Sequence, residues 1–185
     1  MKQRPTIESE RLILRPFTLA DAPEVQRLAG DWDIASTTLL IPHPYEDGVA
    51  EQWIETHQDS YDNDQAINFA ITLRWDNTFM GAITLKLDAD NDAGELGYWI
   101  GKPYWNLGYM TEAAEAVVAY AFQVLELNRI WAAHFTRNPA SGRVLQKIGM
   151  TGEGCLKQSV KKWGAYEDME YYGLLWTDYE ALKAG

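Results

Sequence analysis

The chain has 185 residues, 46% of them apolar, and a net charge of −11 from 27 acidic and 16 basic side chains. That length and composition support a sizeable buried core and exclude disorder by composition. The charge argues against binding nucleic acid over a broad face, because an acidic surface repels the phosphate backbone; it either draws a cationic substrate or serves solubility alone. No apolar run is long enough to span a bilayer, and the charged opening MKQRPTIESERLILRPF lacks the apolar centre of a secretory signal. A soluble, cytoplasmic protein with no membrane partner is expected. Cys155 is the one cysteine, so an internal disulfide is impossible.

ERLILRPF (Glu10–Phe17) reads as a first strand. TLADAPEVQRLAGD follows, where Thr18 or Asp21 can cap a helix and Pro23 suits its first turn. A Pro-locked turn, IPHPY, precedes a second helix over Asp47–Tyr61. Ile67–Arg74 and Phe79–Leu87 form a hairpin about a turn at Asp76-Asn77, and Gly94–Gly101 is the next strand. A helix over Thr111–Leu127 places Ala114, Val117, Val118, Ala121 and Leu125 on one face, with Asn128 able to end it in the left-handed conformation. RIWAAHFT (Arg129–Thr136) is apolar on both alternating sets, as a buried central strand is. Asn138 and Gly149 punctuate the helix NPASGRVLQKIG. Two strands joined at KKWGAY complete a mixed α/β order, β-α-α-β-β-β-α-β-α-β-β, which a short C-terminal helix follows, with no repeat, linker or low-complexity segment. One domain over residues 1–185 is expected.

The segment GYWIGKPYWNLGYMTEAAEAVVAYAF carries the chemistry. A loop with one glycine, Gly108, runs into a helix start. Free backbone N–H groups and the helix dipole make such a start an anion site. The donors are the N–H groups of Asn106, Leu107, Gly108, Tyr109, Met110 and Thr111, and Gly108 admits a phosphate with no Cβ in the way. Thr111 can cap the helix. Neither G-x-x-x-x-G-K-[ST] nor G-x-G-x-x-G occurs, so an ordinary strand–helix turn stands as the alternative.

ELGYWIGKPYWNLGYMTEA together with NPASGRVLQKIGM resembles the GNAT N-acetyltransferase superfamily, and most of all its branch of ribosomal-protein-alanine N-acetyltransferases. The opening ERLILRPFTLADAPEV, the IPHPY…AEQWI segment and the closing DMEYYGLL are similar to that branch, so the resemblance covers nearly the whole chain in order. It implies a mostly antiparallel sheet flanked by helices and splayed at its central strands. It implies acetyl-CoA as co-substrate, with the pyrophosphate on Asn106–Thr111 and the pantetheine arm along Tyr98, Trp99 and Ile100, where it bonds the main chain. Asn138 matches the residue that hydrogen-bonds this arm. The family loop pattern, [Q/R]-x-x-G-x-[G/A], is met here only at Gly108, since Trp105 and Met110 take the outer places. A homodimer is a further possibility of the branch.

Acetyl transfer to an amine needs a neutral amine, a stabilised oxyanion and a leaving thiolate. A backbone N–H of Trp99 or Ile100 can serve the oxyanion. Glu95 shares a strand face with Gly97 and can take the proton, directly or through water, or it is a solvated strand-end carboxylate. Ser141 matches the hydroxyl that some branch members use near the sulfur, or it caps a helix. Arg143 and Lys147 reach toward CoA phosphates or are merely solvated. The acceptor is a primary amine, either a protein N-terminus or a small molecule such as an amino acid, polyamine or aminoglycoside. A non-catalytic acyl-CoA sensor or a structural module are the other classes.

No metal is expected. DADNDAGELGYW starts like a calcium loop, but Ala93 and Trp99 stand where glycine and glutamate belong. Asp88–Asp92 is then a hairpin turn or an acidic rim for a cationic substrate. His43, His57 and His134 lack metal spacing. His43 reads as part of a rigid turn, and His134 as a satisfied strand histidine. Trp32, Tyr45, Trp53, Trp163 and Tyr166 lie where this family has its acceptor cleft or subunit contact.

Overall fold

The computed structural model describes residues 1–184. In chain order the elements are β1 (Ile7–Glu8), β2 (Leu12–Pro16), α1 (Ala22–Ala29), α2 (Trp32–Ala35), α3 (Val49–Asp62), β3 (Ala66–Leu73), β4 (Phe79–Asp88), β5 (Ala93–Ile100), α4 (Tyr109–Gln123), β6 (Arg129–Phe135), α5 (Pro139–Lys147), β7 (Thr151–Lys162), β8 (Ala165–Leu175) and α6 (Trp176–Ala184). The order agrees with the expected mixed α/β series and its C-terminal helix, with the short β1 and α2 in addition.

All the strands join one eight-stranded sheet in the order β1-β2-β3-β4-β5-β6-β8-β7. Every pairing is antiparallel except β5–β6. Local chemistry sets the turns: Asn77 adopts φ 60° between β3 and β4, and Asp76 accepts from the Thr78 N–H. Asp21 receives the Thr18 N–H and both arms of the Arg15 guanidinium, and Pro23 lies in the first turn of α1. These partners outweigh the burial that alone would push the Asp21 carboxyl up, and hold it below its usual range.

Each sheet face has its own core. On one, α4 buries Met110, Ala113, Ala114, Val117, Val118, Ala121 and Phe122 against Leu14, Phe69, Ile83, Leu85 and Leu96. On the other, α1 and α3 pack Val25, Leu28, Ala50 and Ile54 on Phe17, Ala70, Phe79 and Ala82.

Two expectations for α4 need correction. The helix begins at Tyr109, so Thr111 lies within its first turn and does not cap it; Gly108 holds that place at φ 80°, a conformation glycine adopts without steric cost. The helix ends at Gln123, not Leu127, because the chain folds back on its last turn: the Leu125 and Leu127 N–H groups reach the Tyr120 and Ala121 carbonyls. Glu126, at φ 54°, takes the left-handed place assigned to Asn128, whose N–H bonds the Asp92 carbonyl.

Candidate active site

β5 and β6 are parallel neighbours over only three residue pairs, the last being Glu95↔Trp131. Beyond it β5 follows β4 as far as Ile100↔Gly81, while β6 follows β8 as far as Phe135↔Met169. Gly81 allows the first of these departures. A Cβ there would sit 2.3 Å from the Trp99 carbonyl oxygen, so only glycine lets β4 draw the end of β5 toward it. The divergence opens a cavity of about 910 Å³.

Of the residues expected to act, Glu95, Tyr98, Trp99, Ile100, Asn106, Gly108, Tyr109, Met110, Thr111, Asn138 and Ser141 all line this cavity. Leu107 does not; its side chain is exposed. The Gly101 N–H donates to the Met80 carbonyl at 2.8 Å, and the antiparallel register then alternates back along β5. It turns the Trp99 N–H toward Ala82 and those of Tyr98 and Ile100 toward the gap. The Trp105 indole donates to the Ile100 carbonyl at 2.8 Å and so fastens the loop to the strand end.

The N–H groups of Asn106, Leu107, Gly108, Tyr109, Met110 and Thr111 donate to no backbone carbonyl. Asn106 at φ 61° and Gly108 at φ 80° curl them into a concave nest on the helix N-terminus. Arg11, which sequence reading missed, braces this loop from behind. It donates to the Leu107 carbonyl and to Glu112, and its guanidinium lies 4.5 Å from the Tyr109 ring centroid. Nothing local announces this pairing, since the partners lie about a hundred residues apart in the chain.

Asn138 is the N-cap residue of α5, yet its side chain makes no capping bond. Ser141 does not cap either. Its hydroxyl lies 3.0 Å from the Tyr98 hydroxyl, which also donates to the Ser141 carbonyl at 3.1 Å. Burial pushes the Tyr98 phenol well up, so it stays protonated as a donor. Glu95 lies on the opposite face of β5 from Tyr98, 3.4 Å from Lys86 Nζ.

Loop 36–42 walls the cavity on the α1–α3 side. Lys162, a buried cation that sequence reading also missed, holds this strap by donating to the Ile41 and Leu39 carbonyls at 2.6 and 3.2 Å. It also lies 4.4 Å from the Trp163 ring centroid. Burial, then the nearby Arg137, draws its pKa down. Tyr45 and Trp53 line the cavity, whereas Trp32 and Trp163 pair outside it at 4.9 Å, beside His43, and Tyr166 is exposed. Arg143 and Lys147 line it from α5.

The His134 Nδ1 meets the Phe135 carbonyl at 2.8 Å, and its buried Nε2, with no hydrogen-bond partner among the described residues, lies 3.4 Å from the Glu170 carboxylate. The Asp88–Asp92 segment closes the β4–β5 hairpin and does not line the cavity. Among the described residues no cluster of His, Cys, Asp or Glu has the makings of a metal site, and no helix is long and apolar enough to cross a membrane.

Comparison with known proteins agrees with this architecture. The family description "Acetyltransferase (GNAT) domain" matches residues 11–151. An uncharacterized N-acetyltransferase of Bacillus subtilis, YnaD, is 31% identical over 170 residues, 91% of this chain and 96% of the relative. The ribosomal-protein-serine acetyltransferase of Escherichia coli is 30% identical over 98 residues, 52% of this chain and 55% of that one. A crystal structure of a GNAT-family acetyltransferase from Bacillus anthracis superposes with a TM-score of 0.83 at 28% identity, covering 94% of this chain and 99% of the other. A cleft between parting central strands, closed at one end by a helix N-terminus bearing free N–H groups, and a family match over most of the sequence lead to one conclusion: the chain belongs to the GNAT acetyltransferase family.

Proposed function

We propose that this acetyltransferase moves the acetyl group of acetyl-CoA directly to a primary amine, within a ternary complex, and that residues 1–185 act as one domain. The observation that carries the reading is the run of free N–H groups over Asn106–Thr111 at the mouth of the β5–β6 gap. Oriented donors on a helix N-terminus suit a pyrophosphate. Tyr98 and Ile100 have main-chain groups suited to the pantetheine arm, Trp99 borders it, and the unengaged Asn138 amide bonds it. In the reaction the amine nitrogen attacks the thioester carbonyl, and the Ile100 N–H receives the oxyanion. The C–S bond then breaks as the carbonyl re-forms. Ser141 gives the departing thiolate a proton and recovers it from solvent, with the Tyr98 hydroxyl fixing its position. Glu95 takes the amine proton, directly or through water.

The demand on Glu95 depends on the acceptor. An α-amine of pKa near ~8 is about one-tenth neutral at pH 7, whereas a lysine near ~10.4 is neutral roughly once in 2,500 molecules. A carboxylate already near Lys86 is better matched to the first. Recovering that tenth corresponds to about tenfold in rate. Glu95→Gln should therefore lower turnover of an α-amine about tenfold, and Ser141→Ala by a similar factor, with acetyl-CoA affinity held within about twofold. Stopped-time assays of free-thiol release, paired with calorimetric titration, read both quantities. Turnover equal to wild type in both variants would remove these two residues from the mechanism.

A further inference from the structure

We infer that the acceptor is an amine with a single positive charge on an otherwise uncharged, apolar or aromatic body. This rests on the acetyl-transfer reading and concerns the α1–α3 side of the same cavity. Tyr45, Trp53 and Trp99 line that side, and the strap contributes Leu39, Ile41 and Pro42. Its polar groups are mostly neutral. Thr84 donates to Asn68 Oδ1 at 2.7 Å, leaving the Asn68 amide N–H groups free. The only oppositely charged side chains there, among the described residues, are Glu95 and Lys86, which face each other at 3.4 Å.

The whole-chain charge of −11 is thus not expressed in the trench. Outside the cavity lining, Asp33 pairs with Lys102, Glu167 with Arg137 and Asp168 with Lys157, while Glu51, near enough to Tyr45 to help raise its phenol after burial, is exposed and does not line the cavity. The Asp88–Asp92 turn lies outside the cavity lining. Arg143 and Lys147 belong to α5, which packs beside α4 on the other side of the sheet.

Charge counting then sorts the candidate amines. One ammonium group can take the place of Lys86 at Glu95. A polyamine or aminoglycoside brings further cations into an aromatic trench with no second carboxylate, and an unpaired charge withdrawn from water is costly. A free amino acid brings a carboxylate, and the one cation lining this side among the described residues, Lys86, is already opposite Glu95, while Lys162 is spent on the strap carbonyls. An amine whose neighbouring carboxyl is masked as an amide, or absent, carries neither burden. Its apolar body gains from the aromatic walls, and its carbonyl, where present, matches the free Asn68 donors.

The test is calorimetric binding to the CoA-loaded protein, run beside thiol release from acetyl-CoA, with L-phenylalaninamide, L-phenylalanine, spermidine and kanamycin as probes. L-phenylalaninamide should bind at least about tenfold more tightly than each of the others, a difference of about 1.4 kcal/mol. Lys86→Glu, which adds the missing second carboxylate, should raise spermidine affinity at least about fivefold relative to L-phenylalaninamide. The binding preference without thiol release would uphold the trench's selectivity and overturn acetyl transfer. Tighter binding of spermidine, kanamycin or free phenylalanine, or no binding of L-phenylalaninamide, would overturn the inference whatever the thiol assay reads.

Discussion

Gly108→Trp is expected to weaken acetyl-CoA binding at least about 100-fold, or about 2.7 kcal/mol, while leaving the fold intact. Two effects combine. Gly108 sits at φ 80°, a left-handed conformation that costs an L-residue roughly 1–2 kcal/mol. Relaxing that strain turns the Asn106–Thr111 N–H groups away from a common focus. An indole at this position also projects from the loop whose glycine lines the cavity mouth, where even a Cβ would stand 3.4 Å from an Arg11 guanidinium nitrogen. Gly108→Ala isolates the first effect and should cost about tenfold. Titration with acetyl-CoA and with acetyl-pantetheine, which lacks the pyrophosphate, separates loop from arm: the variants should lose affinity for the first and keep it for the second. Equal affinity of wild type and Gly108→Trp for acetyl-CoA would mean that the loop holds no phosphate.

The second large effect is on stability below neutral pH. His57 lies on the buried stripe of α3 with Ala50 and Ile54, and neither ring nitrogen has a hydrogen-bond partner among the described residues. Its neighbours are Phe17 and Trp53, with ring centroids 5.1 and 4.4 Å away. Burial, then repulsion by Arg4, lowers its pKa to about 4. The unfolded chain binds this proton near pH ~6.5 and the folded chain only near about 4, so acid favours unfolding. The contribution of neutral His57 is complete above about pH 6.5 and is lost progressively as pH falls through the folded value. Between pH 7 and pH 5 the loss is about 2 kcal/mol, approaching about 3 kcal/mol at pH 4. His57→Leu removes the titrating group. Urea unfolding at pH 7 and pH 5 should show the variant losing about 2 kcal/mol less than wild type over that interval, other titrating groups cancelling in the difference. Equal losses in both proteins would assign the acid sensitivity to other groups.

How far this site could be read from sequence follows the range of the interactions that build it. The strand–loop–helix segment around Gly108 was legible, because a glycine before an amphipathic helix and the donors that follow are properties of neighbouring residues. So were the Asp76-Asn77 turn and the Asn138–Gly149 helix. The true cap of α4 was not: Thr111 and Gly108 are both eligible, and the choice lay with the backbone conformation at the turn. His57 left a faint signal, a histidine in register with Ala50 and Ile54, but its missing partners depend on what Phe17 and Trp53 enclose.

By itself, then, the sequence determined most of the elements, their turns and the run of free N–H donors at one helix start, because each of these is decided over a few residues by dihedral preference, side-chain period and local hydrogen bonding. Only the tertiary structure decided that β5 and β6 part after Glu95↔Trp131, that Tyr98 meets Ser141, that Arg11 braces the Leu107 carbonyl and Glu112, and that Lys162 straps the 36–42 loop. Those contacts join residues distant in the chain. Their formation depends on sheet order and twist, and on which buried polar groups must find partners, which are properties of the packed molecule and of no single segment.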